Sequence, residues 1–435
     1  MAKKKQDLSP EERLAAALVP EEEWPYALPD GWKWVRLGKI YEVNPKIQAD
    51  DNIEASFITM SDICPGIKSQ FDFSIKKWGE IKKGHTQFAN GDVAFAKISP
   101  CFENRKSMIL DGLKNGIGAG TTELIVLRNP QIDNNYTFLF ISSEEFIRHA
   151  RNTYKGVVGQ QRINLDFVKN YPMPLPPLSE QHRLVARIES LFAKLDAARE
   201  KVQSVLNSHE TRKAALLHDA FTGKLTAKWR EEHKFSYNEW HLVCIKDICH
   251  SLKYGTAKKS EASGRYVVIR MGNLFDGEIL WDNLAYSNDN EDIEKYQLTP
   301  GDVLFNRTNS AALVGKTSIY RGDYPAIYAG YIIKLDYDRK TIDGEFLNYI
   351  MNSPCAKTYC NKVKTDGVNQ SNINAKKIGA FQFKLPSLPE QQEIIRILDR
   401  LLAREQRARQ AAEETLTVID RMKQSILARA FRGEL

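Results

Sequence analysis

The sequence lacks any long apolar run. No stretch of about 18 consecutive apolar residues occurs in the 435 residues, which excludes a membrane-spanning helix. Residues 1–5 (MAKKK) lead to acidic Glu11 and Glu12 with no apolar segment before them, unlike the start of a secretory signal. We therefore expect a soluble, cytoplasmic protein.

Cysteine is scarce, with six residues scattered along the chain. Disulfides are rare in the cytoplasm, so we expect free thiols. Cys244, Cys249 and His250 are the one grouping with metal-ligand chemistry. Their spacing is wide for a zinc pair and no second pair follows at the usual distance, so we expect no metal site.

The sequence also lacks intact nucleotide-binding motifs. Residues 310–317 (SAALVGKT) have Ser310 where a phosphate-binding P-loop needs its first glycine, and a strand-like segment follows where a helix is required. The glycine run 116–120 precedes a predicted strand, which is the wrong order for a dinucleotide or methyl-donor loop. Residues 310–317 and the matching residues 101–107 (CFENRKS) of the other copy are therefore predicted to be turns, and we expect no cofactor in this chain.

A large excess of charge of one sign is absent as well. Lys and Arg total 62 against 55 Asp and Glu, a formal charge of +7. This mild excess permits a nucleic-acid partner without requiring one.

A tandem repeat with an offset of about 210 residues is what the sequence does contain. Three motifs recur in register: NGDVAF at 90–95 and PGDVLF at 300–305, LPPLSEQ at 175–181 and LPSLPEQ at 385–391, AFTGKL at 220–225 and AFRGEL at 430–435. The paired Ile163-Asn164 and Ile373-Asn374 keep the same offset. The chain is therefore two copies of one module, near residues 29–225 and 237–435.

Each copy has the same internal order. Short apolar runs between turn residues predict strands near 93–95, 123–127, 267–270 and 331–335. Prolines then mark the start of one long helix in each copy. A capping box is predicted at Ser387 and Glu390 in the second copy, and Ser179 is predicted to be the cap in the first. Gly223 and Gly433 mark the predicted helix ends.

The apolar seams of the two long helices indicate a coiled coil. The seam turns polar at His209 and Arg212 in the first helix and at Glu405 in the second. If the helices pair antiparallel, Glu405 lies near the two basic groups; the alternative is a solvent-facing stretch on each helix.

Together, the three doubled motifs resemble the specificity subunit of type I restriction–modification systems, over residues 29 to 435. The resemblance implies two target-recognition domains that each read one half of an asymmetric, bipartite double-stranded DNA site. It implies spacer helices that form an antiparallel coiled coil and dock two methyltransferase subunits, joined by motor–nuclease subunits. It also implies no catalytic residue here, since adenine methylation with S-adenosylmethionine belongs to the partner. No Asn-Pro-Pro-aromatic methyltransferase motif occurs in this sequence.

The predicted fold is α+β: two tandem mixed α/β recognition domains separated by two long helices, a dumbbell with a pseudo-twofold repeat. Six segments are predicted: a leader with a short helix through Val19 (1–28), recognition domain one (29–177), spacer helix one (178–222), a linker (223–236), recognition domain two (237–387) and spacer helix two (388–435). The leader could pack beside the methyltransferase-docking helices, or be a basic tip followed by a surface helix.

Candidate DNA-contacting residues are those able to read base edges or neutralise phosphate. The first pair of segments is the loop 156–162, with Gln160, Gln161 and Arg162, and its counterpart 367–372, with Asn369, Gln370, Ser371 and Asn372. The second pair is Lys97, Arg105 and Lys106 against Asn306, Arg307, Asn309 and Lys316. Basic runs near 76–85 and 253–265 form a third and weaker pair, and for all of them the alternative is a solvated polar turn.

Two functions from different classes remain at this point. The first is a non-catalytic DNA specificity subunit. The second is a non-catalytic coiled-coil scaffold whose repeated domains bind protein.

Overall fold

The computed structural model describes residues 9–157, 159–368 and 370–435. The chain divides into two compact units: the first runs to Val202 and includes Glu414–Leu435, and the second is Gln203–Glu413. None of the helices in these described ranges combines the length and the apolar character of a membrane span.

The described part of the first unit contains ten strands in three sheets. The strands are β1 (Lys33–Arg36), β2 (Glu42–Val43), β3 (Glu54–Ile58), β4 (Ser74–Lys77), β5 (Thr86–Ala89), β6 (Val93–Ala96), β7 (Ser107–Ile109), β8 (Ile117–Gly120), β9 (Leu124–Arg128) and β10 (Pro172–Leu175). The sheet orders are β1-β10, β2-β9-β6-β7 and β4-β3-β8-β5, and of these neighbours β3 and β8 are parallel.

Helices cover and connect these sheets. They are α1 (Pro10–Ala17), α2 (Leu37–Ile40), α3 (Trp78–Ile81), α4 (Asn134–Ile141), α5 (Glu144–Arg151), α6 (Leu165–Asn170) and α7 (Leu178–Asn207), the last of which continues beyond the unit. Ser9 and Glu12 form a capping box at α1, as predicted. The helix ends at Ala17, short of the predicted Val19, because the Val19 amide donates to the Trp34 carbonyl (3.0 Å) of β1.

The second unit begins within α7. Its helices are α8 (His209–Phe221), α9 (Ala227–His233), α10 (Ile245–Ile248), α11 (Asn290–Tyr296), α12 (Gly344–Met351), α13 (Pro354–Val363), α14 (Ala375–Gly379) and α15 (Leu388–Phe431), which continues into the first unit. Its strands are β11 (His241–Cys244), β12 (Cys249–Tyr254), β13 (Tyr266–Ile269), β14 (Leu274–Phe275), β15 (Glu278–Ile279), β16 (Tyr286–Ser287), β17 (Val303–Asn306), β18 (Thr308–Asn309), β19 (Thr317–Ile319), β20 (Ala326–Tyr328), β21 (Ile332–Tyr337), β22 (Thr365–Asp366), β23 (Ser371–Asn372) and β24 (Gln382–Leu385).

The repeat is visible in the topology of the two units. The sheet β2-β9-β6-β7 of the first unit has the order of β12-β21-β17-β19 in the second. The parallel pair of β3 and β8 recurs as β13 and β20. The four predicted strands all form, within a few residues of their predicted bounds. The predicted α+β class and the tandem repeat are confirmed.

The repeated Gly-Asp pair closes the turn before β6 in the first unit and before β17 in the second. Gly91 and Gly301 have φ of 86° and 91°, which favours glycine. The buried Asp92 accepts from the Ala89 amide (2.7 Å) and from Arg128 (2.6 and 2.7 Å). Asp302 accepts from the Thr299 amide and from Lys334. These aspartates hold the turn and need a cation beside them because they are buried.

The repeated glutamine anchors each long helix at its entry. Gln181 accepts from the Asp133 amide (3.0 Å) and donates to the Pro176 carbonyl (2.9 Å), both buried at the start of α4 and α7. Gln391 makes the matching bonds to Asp343 (2.8 Å) and Pro386 (2.9 Å). Each glutamine therefore links the start of its long helix to the N-cap residue of an earlier helix, α4 in the first unit and α12 in the second.

The capping predictions for the long helices are wrong. α7 begins at Leu178, so Ser179 lies inside the helix. The Glu390 carboxylate does not accept a hydrogen bond from the Ser387 amide. It is buried and accepts instead from Thr226 (2.7 Å), Arg230 (2.6 Å) and Trp240 (2.9 Å). A buried carboxylate is stabilised far more by a cation and two further donors than by one exposed amide. The segment predicted as a linker contains α9, which supplies Arg230.

The first spacer is two helices and not one. α7 ends at Asn207 and α8 begins at His209. The Ser208 hydroxyl donates to the carbonyls of Ser204 (2.8 Å) and Val205 (3.2 Å). A serine hydroxyl that bonds back to the carbonyl of residue i−4 bends a helix without any glycine or proline, so the sequence contains no obvious stop at this point.

Each unit contains its own antiparallel helix pair. In the first, Lys423 contacts Asp196 (2.5 Å) and Arg199 contacts Asp420. In the second, Arg212 donates to Glu405 (2.7 Å), and His209 Nδ1 lies 3.9 Å from the same carboxylate. The predicted meeting of Glu405 with the two basic groups is confirmed.

Candidate nucleic-acid interface

In the first unit the two candidate segments are neighbours. The Ser99 amide donates to the Gln161 carbonyl (2.8 Å), and the Ile163 amide donates to the Lys97 carbonyl (3.0 Å). Arg162 also pairs across the loop with Lys155. The chain leaving β6 and the loop before Ile163 thus form one small ladder at the end of the central strand.

The second unit has the same arrangement at the matching place. β18, which directly follows β17, pairs antiparallel with β23, and β23 pairs with β22. The Ile373 amide donates to the Arg307 carbonyl (2.8 Å), as Ile163 does to Lys97. The structure therefore brings the first and second candidate segments of each copy together, over sequence separations of more than 60 residues.

Arg162 is held by a carboxylate that the sequence did not single out. Its Nε and Nη2 donate to Glu123 at 2.8–3.1 Å, and these bonds hold the pKa of the Glu123 carboxyl below its usual range. The Arg162 side chain is nevertheless 45% exposed. Gln160 is exposed beside it and Gln161 and Lys97 are half-buried, so amide and cationic groups reach the surface together.

Arg307 is the corresponding cation of the second unit. Its guanidinium lies 4.8 Å from the ring centroid of Tyr254, which is 40% exposed. Arg307 Nε has no hydrogen-bond partner among the described residues. Asn309 and Asn372 are half-buried and Gln370 is exposed, while Asn369 lies outside the described residues. Two copies of one scaffold thus present different side chains.

Two candidates belong to the framework and not to the surface. Asn306 is fully buried; it donates to the Met271 carbonyl (3.3 Å) and accepts from the Thr308 amide (3.2 Å). Ser371 is 2% exposed and donates to Asp366. Both lie in ladder positions where buried polar groups must be hydrogen-bonded, so neither side chain is available to a ligand.

Three further cations are engaged by the protein itself. Arg105 pairs with Glu144 and donates to the Ser142 carbonyl (3.0 Å), and Lys106 donates to the Met60 carbonyl (2.6 Å). Lys316 lies 5.1 Å from the Phe275 ring centroid. These residues are half-buried and carry less of the site than Arg162 and Arg307.

Sequence reasoning missed Glu123 as the partner of Arg162 and Tyr254 as the partner of Arg307. It also passed over the loop valines: Val157 is 80% exposed and Val368 is 100% exposed. The glycine directly before each of these valines was the available signal, because glycine is typical of exposed turns.

Of the two segments excluded as cofactor loops, the one near residues 310–317 contains the predicted turn. Residues 311–315 form a turn and β19 follows, so no helix N-terminus faces the place of a phosphate. The glycine run contributes β8 and leads to β9. Among the described residues, no group of three or more His, Cys, Asp or Glu side chains is arranged to hold a metal ion.

Curated relatives match parts of the chain. It is 45% identical over 195 residues to the EcoAI specificity subunit of a type I restriction enzyme from Escherichia coli, covering 44% of this chain and 33% of that protein. It is 40% identical over 218 residues to the EcoEI specificity subunit, also from Escherichia coli, covering 48% and 37%. The chain therefore spans little more than a third of these two relatives.

One solved structure shares the fold over nearly the whole chain. It comes from a description of complex assembly and conformational transition of the type I R-M system, and it aligns with a TM-score of 0.76 at 21% identity. The alignment covers 94% of this chain and all of that one. A family model for the type I restriction modification DNA specificity domain matches residues 29–207 and 237–414. Since these two matches take in most of the 435 residues and follow the repeat, the protein belongs to this family and carries its domain twice.

Proposed function

We propose that the chain is the DNA specificity subunit of a type I restriction–modification complex, in which each unit reads one half of an asymmetric bipartite site. The carrying observation is the doubled ladder: residues 97–99 pair with 161–163, and residues 307–309 pair with 371–373, at the same place with different side chains. A shared scaffold with divergent amide and cationic groups suits two readers of different sequences.

The proposed complex contains two methyltransferase subunits and motor–nuclease subunits, in the cytoplasm. The chain carries no catalytic residue, and S-adenosylmethionine is used by the methyltransferase. The modest charge of +7 supports this view, since other subunits share the neutralisation of phosphate.

The general test is duplex binding by the assembled complex across a salt series. A DNA reader loses affinity steeply as salt rises, because counterions released from phosphate no longer favour binding. A flat response would instead favour the protein-binding scaffold.

The specific test substitutes the loop of one unit at a time. Replacing Gln160, Gln161 and Arg162 with Ala should reduce discrimination at one half-site by about ten-fold or more, since each bidentate base contact contributes about 1–3 kcal/mol. The other half-site should be unaffected. The matched variant, with Asn309 and Gln370 replaced by Ala, should show the reverse pattern. Equal losses at both half-sites in either variant would contradict the assignment, and binding to a panel of duplexes with single changes measures it.

A further inference from the structure

A small cavity of the first unit is lined by aromatic rings and has no role in the ladder described above. It measures about 80 Å³ and lies among Tyr26, Trp34, Phe146, His149 and Tyr171. By the same measure one water needs about 10–15 Å³, so the cavity has room for a group of a few heavy atoms. Tyr26 and His149 are partly exposed, so the cavity opens to the surface, while Phe146 and Trp34 close its interior.

Glu145 supplies the one unneutralised charge of this lining. It is the second residue of α5 and is partly buried. Its carboxylate has no hydrogen-bond or ion-pair partner among the described residues, whereas Glu144 beside it pairs with Arg105. Burial first, and then the charge of Glu145, raise the pKa of both Tyr26 and Tyr171. The charges of Arg432 and Arg148 oppose this rise, for Tyr26 and Tyr171 respectively. The cavity therefore has hydrophobic walls and one carboxylate, Glu145, at its lining.

These surroundings select a cation. Aromatic faces attract an ammonium or guanidinium within about 6 Å of the ring centroid, and an unpaired carboxylate adds a charge-assisted hydrogen bond. The protein already uses one of these rings in this way, since the Arg432 guanidinium lies 5.5 Å from the Tyr26 centroid. An anion would meet the repulsion of Glu145, and a neutral group would leave its charge without a partner.

The second unit has different side chains at the matching positions. The repeat offset places Cys355 of α13 where Glu145 stands in α5, and Phe381 where Tyr171 stands. Strand register places Leu242, which is 66% exposed, at the position of Trp34. Tyr26 belongs to the leader before the first copy. The lining residues Glu145, Tyr171 and Trp34 of the first unit are thus not repeated in the second.

We propose that this cavity is a recognition pocket for an arginine or lysine side chain presented by a partner protein. The partner part of the inference rests on the proposed function, in which the chain works inside a multi-subunit complex. The pocket itself does not, because its chemistry can be tested on the isolated full-length chain.

The Trp34 indole reports on the pocket, because its Nε1–H donates to the Tyr26 carbonyl (3.1 Å). Methylguanidinium should shift the indole signal of Trp34 saturably in a chain labelled with ¹⁵N-tryptophan, the signal being assigned with Trp34→Phe. Glu145→Gln should weaken the affinity by about ten-fold, which corresponds to about 1.4 kcal/mol. Cys355→Ser, at the matching position, should leave it unchanged. Urea, similar in shape and neutral, should give no saturable shift at the same concentrations.

An absent shift, equal affinity in Glu145→Gln, or equal binding of urea would overturn the cation pocket. In the complex with methyltransferase subunits, methylguanidinium should no longer bind, and Glu145→Gln should weaken assembly while half-site discrimination is retained. Undiminished binding of methylguanidinium in the complex would overturn the partner as the source of the cation. Failure of the unaltered complex to discriminate half-sites would count against the proposed function and not against the pocket.

Discussion

At the scale of single residues, this protein has a repeated buried framework and a surface that varies between the two copies. The motifs that reveal the repeat hold turns and helix entries: Asp92, Gln181 and their counterparts are buried and bonded to backbone amides. The candidate DNA-contacting residues that reach the surface lie in segments whose side chains differ between the copies. Recognition of the repeat was therefore possible from sequence, but the role of each repeated residue was not.

Glu390 and Glu180 occupy the same repeat position with different surroundings. Glu390 is buried with Arg230, whereas Glu180 pairs with the largely exposed Arg183. Glu390→Gln should lower the free energy of unfolding by about 3 kcal/mol, because it leaves a buried arginine uncompensated. Glu180→Gln should cost less than about 1 kcal/mol. Denaturant unfolding measures both, and equal losses would contradict the buried pair.

The helices carry the next level of organisation. Their apolar seams predicted a coiled coil, and the family resemblance implied that the helices pair antiparallel. The contacts of Arg212 with Glu405 and of Lys423 with Asp196 confirm the antiparallel pair within each unit. The break at Ser208 was not predicted, because a serine interrupts a helix only where its hydroxyl turns back to the backbone.

Asp196 links acidity to helix pairing in the first unit. Burial alone would raise the pKa of its carboxyl, but hydrogen bonds from Lys423 and Lys68 outweigh burial and lower this pKa below its usual range. A depressed folded-state pKa stabilises the protein above the unfolded value, and this contribution is lost as pH falls through the folded one. Asp196→Asn should therefore cost about 1 kcal/mol at pH 7 and progressively less below pH 4. Unfolding curves at pH 7 and at acidic pH measure this, and a pH-independent cost would refute it.

At the scale of the whole molecule, each unit is built from parts of both repeats. The core of the first unit contains Leu427 and Phe431, the end of the second copy's helix. Leu217 and Ala220, the end of the first copy's helix, belong to the core of the second unit. The boundaries of the repeat in sequence are therefore not the boundaries of the units in space.

Phe431 tests this exchange. Its ring centroid lies 5.3 Å from the ring centroid of Tyr136 and 5.2 Å from that of Phe140. Phe431→Ala should destabilise the first unit by about 3–5 kcal/mol, because it leaves a cavity in a buried aromatic cluster. Hydrogen exchange should then show lost protection in α4 and α5. Unchanged protection there, with losses confined to α15, would contradict the shared core.

The spacing of the proposed half-sites is a prediction for the intact complex. Inserting one heptad into α7, with a matching heptad in α15, lengthens the helix pair by about 10 Å at 1.5 Å per residue. The preferred gap between half-sites should then increase by about three base pairs, since duplex DNA rises about 3.4 Å per base pair. Selection from duplexes of varied gap length measures it; an unchanged gap would exclude the helices as the ruler.

By itself, the sequence determined the repeat, the α+β class and the coiled-coil seams, since each is written in local periodicity or in motifs repeated at a fixed offset. The resemblance of those motifs to a known family implied the antiparallel direction of the helix pair. Only the tertiary structure decided the rest. It placed Lys97 near Arg162 and paired Arg162 with Glu123. It also buried Asn306 and Ser371, and it packed the end of each copy's long helix into the core of the other unit. These outcomes depend on strand pairing and burial between residues that are distant in sequence, and local sequence patterns do not reveal such contacts.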